Sequence, residues 1–115
     1  MANNSDKELF LNQEAERGIL GALLRDESVY AKVATVLTGP SDFCDPKHAW
    51  IYKSIDELYK RHEPIDVVTV TSRLQKLGKL DYVGGKQALV DLLDSPSVSE
   101  NIETYADAVM TLAQR

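Results

Sequence analysis

The sequence predicts an all-α fold, a compact bundle of about six short helices. Apolar residues recur at intervals of three and four in successive segments, which is the spacing of one face of an α-helix. Residues that begin or end helices, mainly Asp, Ser, Gly and Pro, separate these segments and leave only short loops. With 115 residues, the chain has the length of a single domain.

The first predicted helix follows a polar leader at residues 1–11, which we expect to be flexible, and opens a helical domain at 12–115. Asn12 is a suitable cap, because its side-chain oxygen can accept a hydrogen bond from the first turn. The apolar positions are Ala15, Ile19, Ala22 and Leu23, and the polar positions are Glu14, Glu16, Arg17 and Arg25. Gly18 and Gly21 are unfavourable inside a helix and therefore indicate a close approach of another helix.

The second and third predicted helices have clear boundaries. The second runs from about residue 28 to residue 37, and Gly39-Pro40 ends it. The third is capped by Asp45 and begins at Pro46, whose missing N–H is not needed in the first turn. Its apolar face contains His48, Ile51, Tyr52, Ile55, Leu58, Tyr59 and His62. A helix with such a face is expected to cross the core.

The fourth predicted helix contains an unbroken run of β-branched residues at 67–71, which on propensity alone favours a strand. We predict a helix, because Asp66 is a suitable cap and Gly78 suits the left-handed residue that ends a helix. A fifth helix opens at Gly84-Gly85, and a sixth, capped by Ser99, runs to the end of the chain.

The composition argues against several classes of function. The formal net charge of −5 disfavours a surface built to neutralise nucleic-acid phosphates. The single cysteine, Cys44, cannot form a disulfide within the chain, which favours a reducing compartment. No signal peptide is recognisable, and no apolar stretch approaches the roughly 20 residues that span a bilayer. We therefore expect a cytoplasmic protein whose partners are other proteins.

No catalytic, cofactor or metal site is predicted. Gly85-Lys86 resembles part of a phosphate-binding loop, but the positions where that loop needs glycine and Ser or Thr hold Leu80 and Gln87. The side chains most suited to binding a metal are those of Cys44, His48 and His62. Their spacing in the sequence is not that of a compact metal site. The carboxylates are spread along polar faces and suggest no acid–base pair. The predicted function is therefore binding.

Trp50 is the candidate partner-binding residue. It falls outside the apolar stripe of the third helix and shares a face with Ser54, Glu57 and Arg61, which are expected to meet water. An exposed tryptophan beside an arginine is typical of the centre of a protein interface. The alternative is that Trp50 covers the edge of a neighbouring helix within the monomer.

A series of short motifs extends over nearly the whole chain, from about residue 12 to residue 112. In order, the motifs are Glu14-Ala15-Glu16, Ile19-Leu20-Gly21, Asp42-Phe43, His48, Ile51-Tyr52, Leu58, Pro64-Ile65-Asp66, Leu74, Gly78-Lys79-Leu80, Gly84-Gly85, Leu89, Asn101 and Tyr105-Ala106. No single motif is specific, but their order and spacing are. Together they resemble the amino-terminal domain of DnaB-type bacterial replicative DNA helicases.

The resemblance implies a non-catalytic domain of a larger machine. In this family the helical domain precedes a linker hairpin and a RecA-like ATPase domain, which binds ATP and magnesium, and six subunits form a ring that unwinds DNA. The amino-terminal domains pair into a collar, a trimer of dimers, and take part in docking primase and, in some systems, a helicase loader. The chain ends about where the linker would begin, so it is expected to be the isolated domain, without a cofactor of its own.

Two other interpretations remain open. The helicase-binding adaptor domain of a primase has a similar helical architecture, although the order of the motifs favours the helicase. A small helical DNA-binding module is the second alternative. It would need a basic recognition helix, whereas the basic residues here are scattered among more numerous acidic ones. We therefore expect no tight binding of nucleic acid by this domain.

Overall fold

The computed structural model describes residues 4–95 and 101–113. Within these ranges it contains seven α-helices, two short 3-10 turns at Glu27–Val29 and Pro40–Asp42, and no strand. The helices are α1 (Asn4–Arg25), α2 (Tyr30–Ala34), α3 (Pro46–Lys60), α4 (Val67–Lys76), α5 (Leu80–Val83), α6 (Gly85–Leu92) and α7 (Ile102–Ala113). The predicted all-α class is confirmed.

Helix α1 is the longest element and packs against α7, α3 and α6. The fully buried side chains at the centre come from six of the helices, and the largest include Ile19, Leu20, Leu23, Tyr52, Ile55, Leu74, Leu89 and Ile102. Burial of such side chains is the main favourable contribution to folding. No helix among the described residues is both long and apolar enough to cross a membrane.

The predicted start of the first helix at Asn12 is wrong, because α1 already begins at Asn4. Residues 4–11 contain no glycine or proline and include Lys, Glu and two Leu, which are good helix formers. Helix formation therefore extends back from the packed part of α1, since each added residue gains a hydrogen bond at little further cost. Residues 1–3 of the predicted leader lie outside the described residues.

The second predicted helix is shorter than expected. A 3-10 turn comes first, and its cap Asp26 accepts hydrogen bonds from the backbone N–H and the hydroxyl of Ser28, which lower the pKa of this carboxyl. Helix α2 then ends at Ala34 and not near residue 37. The β-branched residues Thr35 and Val36 follow, and the Thr35 hydroxyl donates to the carbonyl of Lys32, which competes with continued helix.

The predicted starts of the third and fourth helices and the predicted end of the fourth are confirmed, whereas α3 ends at Lys60 and does not extend to His62. The Asp45 carboxylate accepts from the backbone N–H of Lys47 at 2.9 Å. Asp66 and Thr69 form a reciprocal capping box, with distances of 2.9 and 3.0 Å. Gly78 has a φ of +72°, the left-handed conformation that ends α4. The β-branched run at 67–71 is therefore helical, because its end signals and amphipathic spacing outweigh strand propensity.

The second half contains one helix that the sequence did not predict. Helix α5 spans only four residues, too few for a hydrophobic period to be visible. Gly84 and Gly85 both have positive φ values, and α6 follows them as predicted. Helix α7 corresponds to the predicted sixth helix, whereas its predicted cap, Ser99, lies outside the described residues.

We expect stability to fall at high pH because of Tyr52. Burial raises the pKa of Tyr52 to about 12. In the unfolded chain this phenol ionises near its ordinary pKa of about 10. The contribution of the buried, protonated Tyr52 to the free energy of unfolding is therefore fully present below pH 10 and is lost as the pH rises towards 12. Urea unfolding should show a loss of about 2 kcal/mol from this group between pH 9 and pH 11.5. Tyr52→Phe should show a smaller loss over the same range, and an equal loss in both proteins would contradict the assignment.

Candidate partner-binding surface

Trp50 lies on α3 and is half-buried, with part of its ring packed against the hydrophobic core. Trp50 was predicted to face water and is therefore less exposed than expected. Its packing agrees with the alternative that it covers a neighbouring element of the monomer. The part of the ring that is not buried contributes to the surface described next.

Two lysines and a tyrosine surround Trp50. The Nζ atoms of Lys53 and Lys79 lie over the Trp50 ring, 4.9 and 5.0 Å from its centroid. Lys79 also lies 5.6 Å from the ring centroid of Tyr82, which is 46% exposed. These distances are those of cation–π contacts, so the four side chains form one continuous surface. We call these four residues, Trp50, Lys53, Lys79 and Tyr82, the Trp50 patch.

The end of α4 positions Lys79 in this patch. After the left-handed Gly78, the backbone N–H of Lys79 donates to the carbonyl of Leu74 at 2.9 Å, and the N–H of Gly78 donates to Gln75 at 3.1 Å. This pair of bonds is a Schellman motif, which reverses the chain sharply. The chain then enters α5, which packs against α3 and carries Tyr82.

An open cavity of about 250 Å³ adjoins Trp50. It is lined by Pro40, Ser41, Ala49, Trp50 and Lys53, and therefore lies where the second 3-10 turn meets α3. Most of this lining is hydrocarbon or indole ring. The cavity can thus accept one apolar side chain of moderate size.

The patch carries a local positive charge on an acidic chain. Among the described residues, no carboxylate forms an ion pair with Lys53 or Lys79, whereas nearby carboxylates of α3 are engaged elsewhere. Asp56 pairs with Lys60 at 2.9 Å, and Glu57 pairs with Arg73 of α4 at 3.0 Å. The net charge of the whole chain is −5, so this positive surface is a local exception.

The four residues predicted to share an exposed face do not form a continuous one. Ser54 is fully buried, and its hydroxyl donates to the Trp50 carbonyl at 3.1 Å, so the prediction that it meets water is wrong. Glu57 is held by Arg73, and Arg61 at the C-terminal end of α3 is exposed beside Glu63 at 3.7 Å. The reason is that α4 packs against this side of α3. The sequence of α3 alone does not reveal that neighbour.

Sequence reasoning overlooked Lys53, Lys79 and Tyr82. The available signal was Gly78, because a left-handed glycine at the end of a helix turns the chain back and places the next residue beside a neighbouring helix. The spacing of apolar residues in the sequence did not indicate that the helix beside Lys79 would be α3.

A second polar cluster joins α1 to the start of α3. Glu16 is fully buried, although its position predicted an exposed side chain. Its carboxylate accepts from the backbone N–H of Cys44 at 2.7 Å and lies 2.8 Å from Nδ1 of His48. A third, longer bond of 3.4 Å comes from the N–H of Asp45. Each of these groups belongs to the turn into α3, so the arrangement indicates a structural role.

The described residues include no evident metal-binding site. No group of three or more His, Cys, Asp or Glu side chains there could hold a metal ion. The cluster around Glu16 brings His48 to a carboxylate, but Cys44 contributes its backbone N–H to that cluster.

Comparison with known proteins gives a consistent family match. The family model for the DnaB-like helicase N-terminal domain matches residues 8–111. The chain is similar to the replicative DNA helicase DnaC of Bacillus subtilis, with 41% identity over 98 residues, covering 85% of this chain. It is also similar to the replicative DNA helicase DnaB of Leifsonia xyli, with 40% identity over 95 residues and 83% coverage. The chain spans 21% of the length of each of these relatives.

Solved structures agree with these sequence matches. The N-terminal domain of DnaB helicase from Mycobacterium tuberculosis has a TM-score of 0.83 and 36% identity, covering 89% of this chain and 73% of that one. The N-terminal domain of DnaB helicase from Helicobacter pylori, a structure reported with its interactions with primase, has a TM-score of 0.78. It is 22% identical and covers 98% of this chain and 86% of that one, so it supports the fold.

Proposed function

This chain belongs to the DnaB-like helicase N-terminal domain family, and on that premise we propose that it is the non-catalytic collar domain of a replicative DNA helicase. In this proposal the domain pairs with other subunits of a hexameric ring and docks primase or a helicase loader during DNA replication. The family match carries the proposal, since it covers residues 8–111. The matched relatives are helicases, which favours the helicase over a primase adaptor.

The chemistry of unwinding would reside elsewhere in the whole protein. We propose that ATP and magnesium act in a RecA-like ATPase domain, and that this chain binds neither. Leu80 and Gln87, at positions where a phosphate-binding loop needs glycine and a hydroxyl, support this view. The whole protein would work at the replisome in the bacterial cytoplasm.

Two observations support a role in protein binding. In the Trp50 patch, Tyr82 is a large hydrophobic side chain that is 46% exposed, and Lys79 lies over both its ring and the Trp50 ring. Aromatic side chains are enriched in protein interfaces relative to the rest of the surface. The H. pylori domain was described with its interactions with primase, which makes primase the first partner to test.

The partner surface that we propose for primase or a neighbouring subunit includes Trp50. Its centre is the Trp50 patch. Glu57, which pairs with Arg73, and the exposed Arg61 lie further along α3 and would contribute separate contacts. The buried Ser54 would not contact the partner. Trp50 has the size and the position beside charged groups that interface centres share.

The test is light scattering of the chain alone and mixed with the carboxy-terminal domain of a primase from a closely related bacterium. We expect a defined complex with primase and a dimer of the chain at high concentration. Absence of both associations would contradict the proposed function.

We expect Trp50→Ala to weaken primase binding or pairing by about tenfold, because removing an aromatic side chain from the centre of an interface costs at least 1–2 kcal/mol. Titration calorimetry measures this change. The matched control is Val68→Ala, since Val68 is 69% exposed on α4 and lies outside the patch. Thermal unfolding should show that both variants remain folded. If primase binds Trp50→Ala and the unchanged chain equally, the surface assignment is wrong while the family role stands.

A further inference from the structure

We propose that the Trp50 patch recognises an acidic protein segment in which carboxylates flank one apolar side chain. The proposal concerns the chemistry of the ligand and does not depend on the partner's being primase. It would stand if primase or a loader bound elsewhere on the domain.

The charges of the patch support the acidic part of the ligand. Lys53 and Lys79 place their ammonium groups about 5 Å from the same indole centroid, and no carboxylate of the described residues pairs with either. Other described lysines, such as Lys32 and Lys86, also form no ion pair, but Lys53 and Lys79 differ from them because both lie over the same indole ring. A ligand carboxylate would supply the counter-charge that this surface lacks.

The cavity beside Trp50 supports the apolar part of the ligand. Its lining by Pro40, Ala49 and the Trp50 ring offers hydrocarbon and aromatic contacts to a single side chain. Lys53 forms one wall of the same cavity, so a residue seated there would hold its neighbours near that ammonium group. One short segment of the ligand could thus place an apolar side chain in the cavity and acidic side chains beside the lysines.

A protein ligand fits this surface better than single-stranded nucleic acid. Stacking of a base on Trp50 would have to displace the two ammonium groups that lie over its ring. The chain as a whole has a net charge of −5 and would repel the phosphates on either side of a stacked base. A short acidic peptide, in contrast, carries negative charge only in the segment that would contact Lys53 and Lys79.

The first experiment uses the emission of Trp50, which is the only tryptophan of the chain. The probe is an acetylated and amidated pentapeptide with a central leucine between two pairs of glutamates. We expect a saturable change in emission with half-saturation at about 1 mM at low salt, in the range of weak peptide recognition. Replacing the leucine by alanine should weaken binding severalfold, and raised salt should weaken it further.

Charge-reversal variants complete the test. Lys53→Glu combined with Lys79→Glu should weaken peptide binding at least tenfold. The control combines Lys32→Glu with Lys86→Glu, which changes the net charge equally at exposed lysines of α2 and α6. The control should bind with little change.

Collisional quenching gives an independent readout that requires no ligand. Because two ammonium groups lie over the Trp50 ring, the ratio of the iodide to the caesium quenching constant should be higher for the unchanged chain than for the Lys53→Glu and Lys79→Glu double variant. The proposal is overturned by any of three results: no response to the peptide up to about 5 mM, an equal response to a peptide with lysines in place of glutamates, or tighter binding of oligothymidylate.

Discussion

Substitution of Gly21 by alanine is expected to lower the free energy of unfolding by about 3 kcal/mol, the upper part of the range for overpacking a core. A Cβ atom at this position would lie 2.3 Å from the carbonyl oxygen of Leu92 and 2.3 Å from Oγ of Ser95. The carbonyl belongs to the backbone at the end of α6 and cannot move alone. The gain of about 1 kcal/mol from alanine inside a helix does not offset this clash.

The contacts around Gly21 explain why α6 cannot simply shift. The Ser95 hydroxyl lies 2.7 Å from the Leu92 carbonyl and 3.3 Å from the Arg17 carbonyl, and Arg25 donates to the Leu93 carbonyl at 2.8 Å. Moving the end of α6 away from α1 would lengthen the bond from Ser95 to the Arg17 carbonyl and the bond from Arg25 to the Leu93 carbonyl together.

Urea unfolding followed by circular dichroism measures the effect of Gly21→Ala. The control is Gly39→Ala, because Gly39 has an extended backbone and no atom within 4 Å of an added Cβ. That variant should be within about 0.5 kcal/mol of the original chain. Equal stability of the two variants would show that α1 and α6 are not as close as described.

Glu16→Ala is expected to destabilise the domain by about 3 kcal/mol, because leaving a buried hydrogen-bond donor without its acceptor costs about 1–3 kcal/mol and Glu16 accepts more than one such bond. The change leaves His48 and the backbone N–H of Cys44 without the acceptor they now share. It also removes the connection between α1 and the turn into α3. Glu16→Gln should cost less, since an amide oxygen can still accept one of these bonds.

Glu14→Ala provides the matched control for Glu16. Glu14 lies two residues earlier on α1 and is only partly buried, so its removal should change the free energy of unfolding by about 0.5 kcal/mol or less. Urea unfolding of the three variants should give the order Glu14→Ala, Glu16→Gln, Glu16→Ala, from most to least stable. A Glu16→Ala variant as stable as Glu14→Ala would contradict the structural role.

The predictable parts of the fold were those determined by local chemistry. A cap such as Asp66 and a helix end such as Gly78 act through bonds to residues within one turn, so the sequence around them contains all the necessary information. The close approach at Gly21 was also predictable, because glycine inside a helix has few other reasons to be there.

The unpredicted parts depend on neighbours that are distant in sequence. Glu16 occupies a polar position on α1 and still lies fully buried, because the turn before α3, 28 residues later, supplies its hydrogen-bond donors. Ser54 is buried by packing between helices, and Lys79 reaches Trp50 from a different helix end. The spacing of apolar residues shows which face of a single helix is buried, but it does not show which distant segments pack against that helix.

We propose that this chain is a binding domain whose partner contacts the surface that contains Trp50. The most direct measurement is the emission of Trp50 during titration with a primase carboxy-terminal domain whose own tryptophans have been replaced by phenylalanine. We predict a saturable shift in emission whose midpoint agrees with the affinity from calorimetry. An unchanged emission spectrum while calorimetry records binding would contradict the claim for this surface, and absence of binding by both methods would contradict primase docking itself.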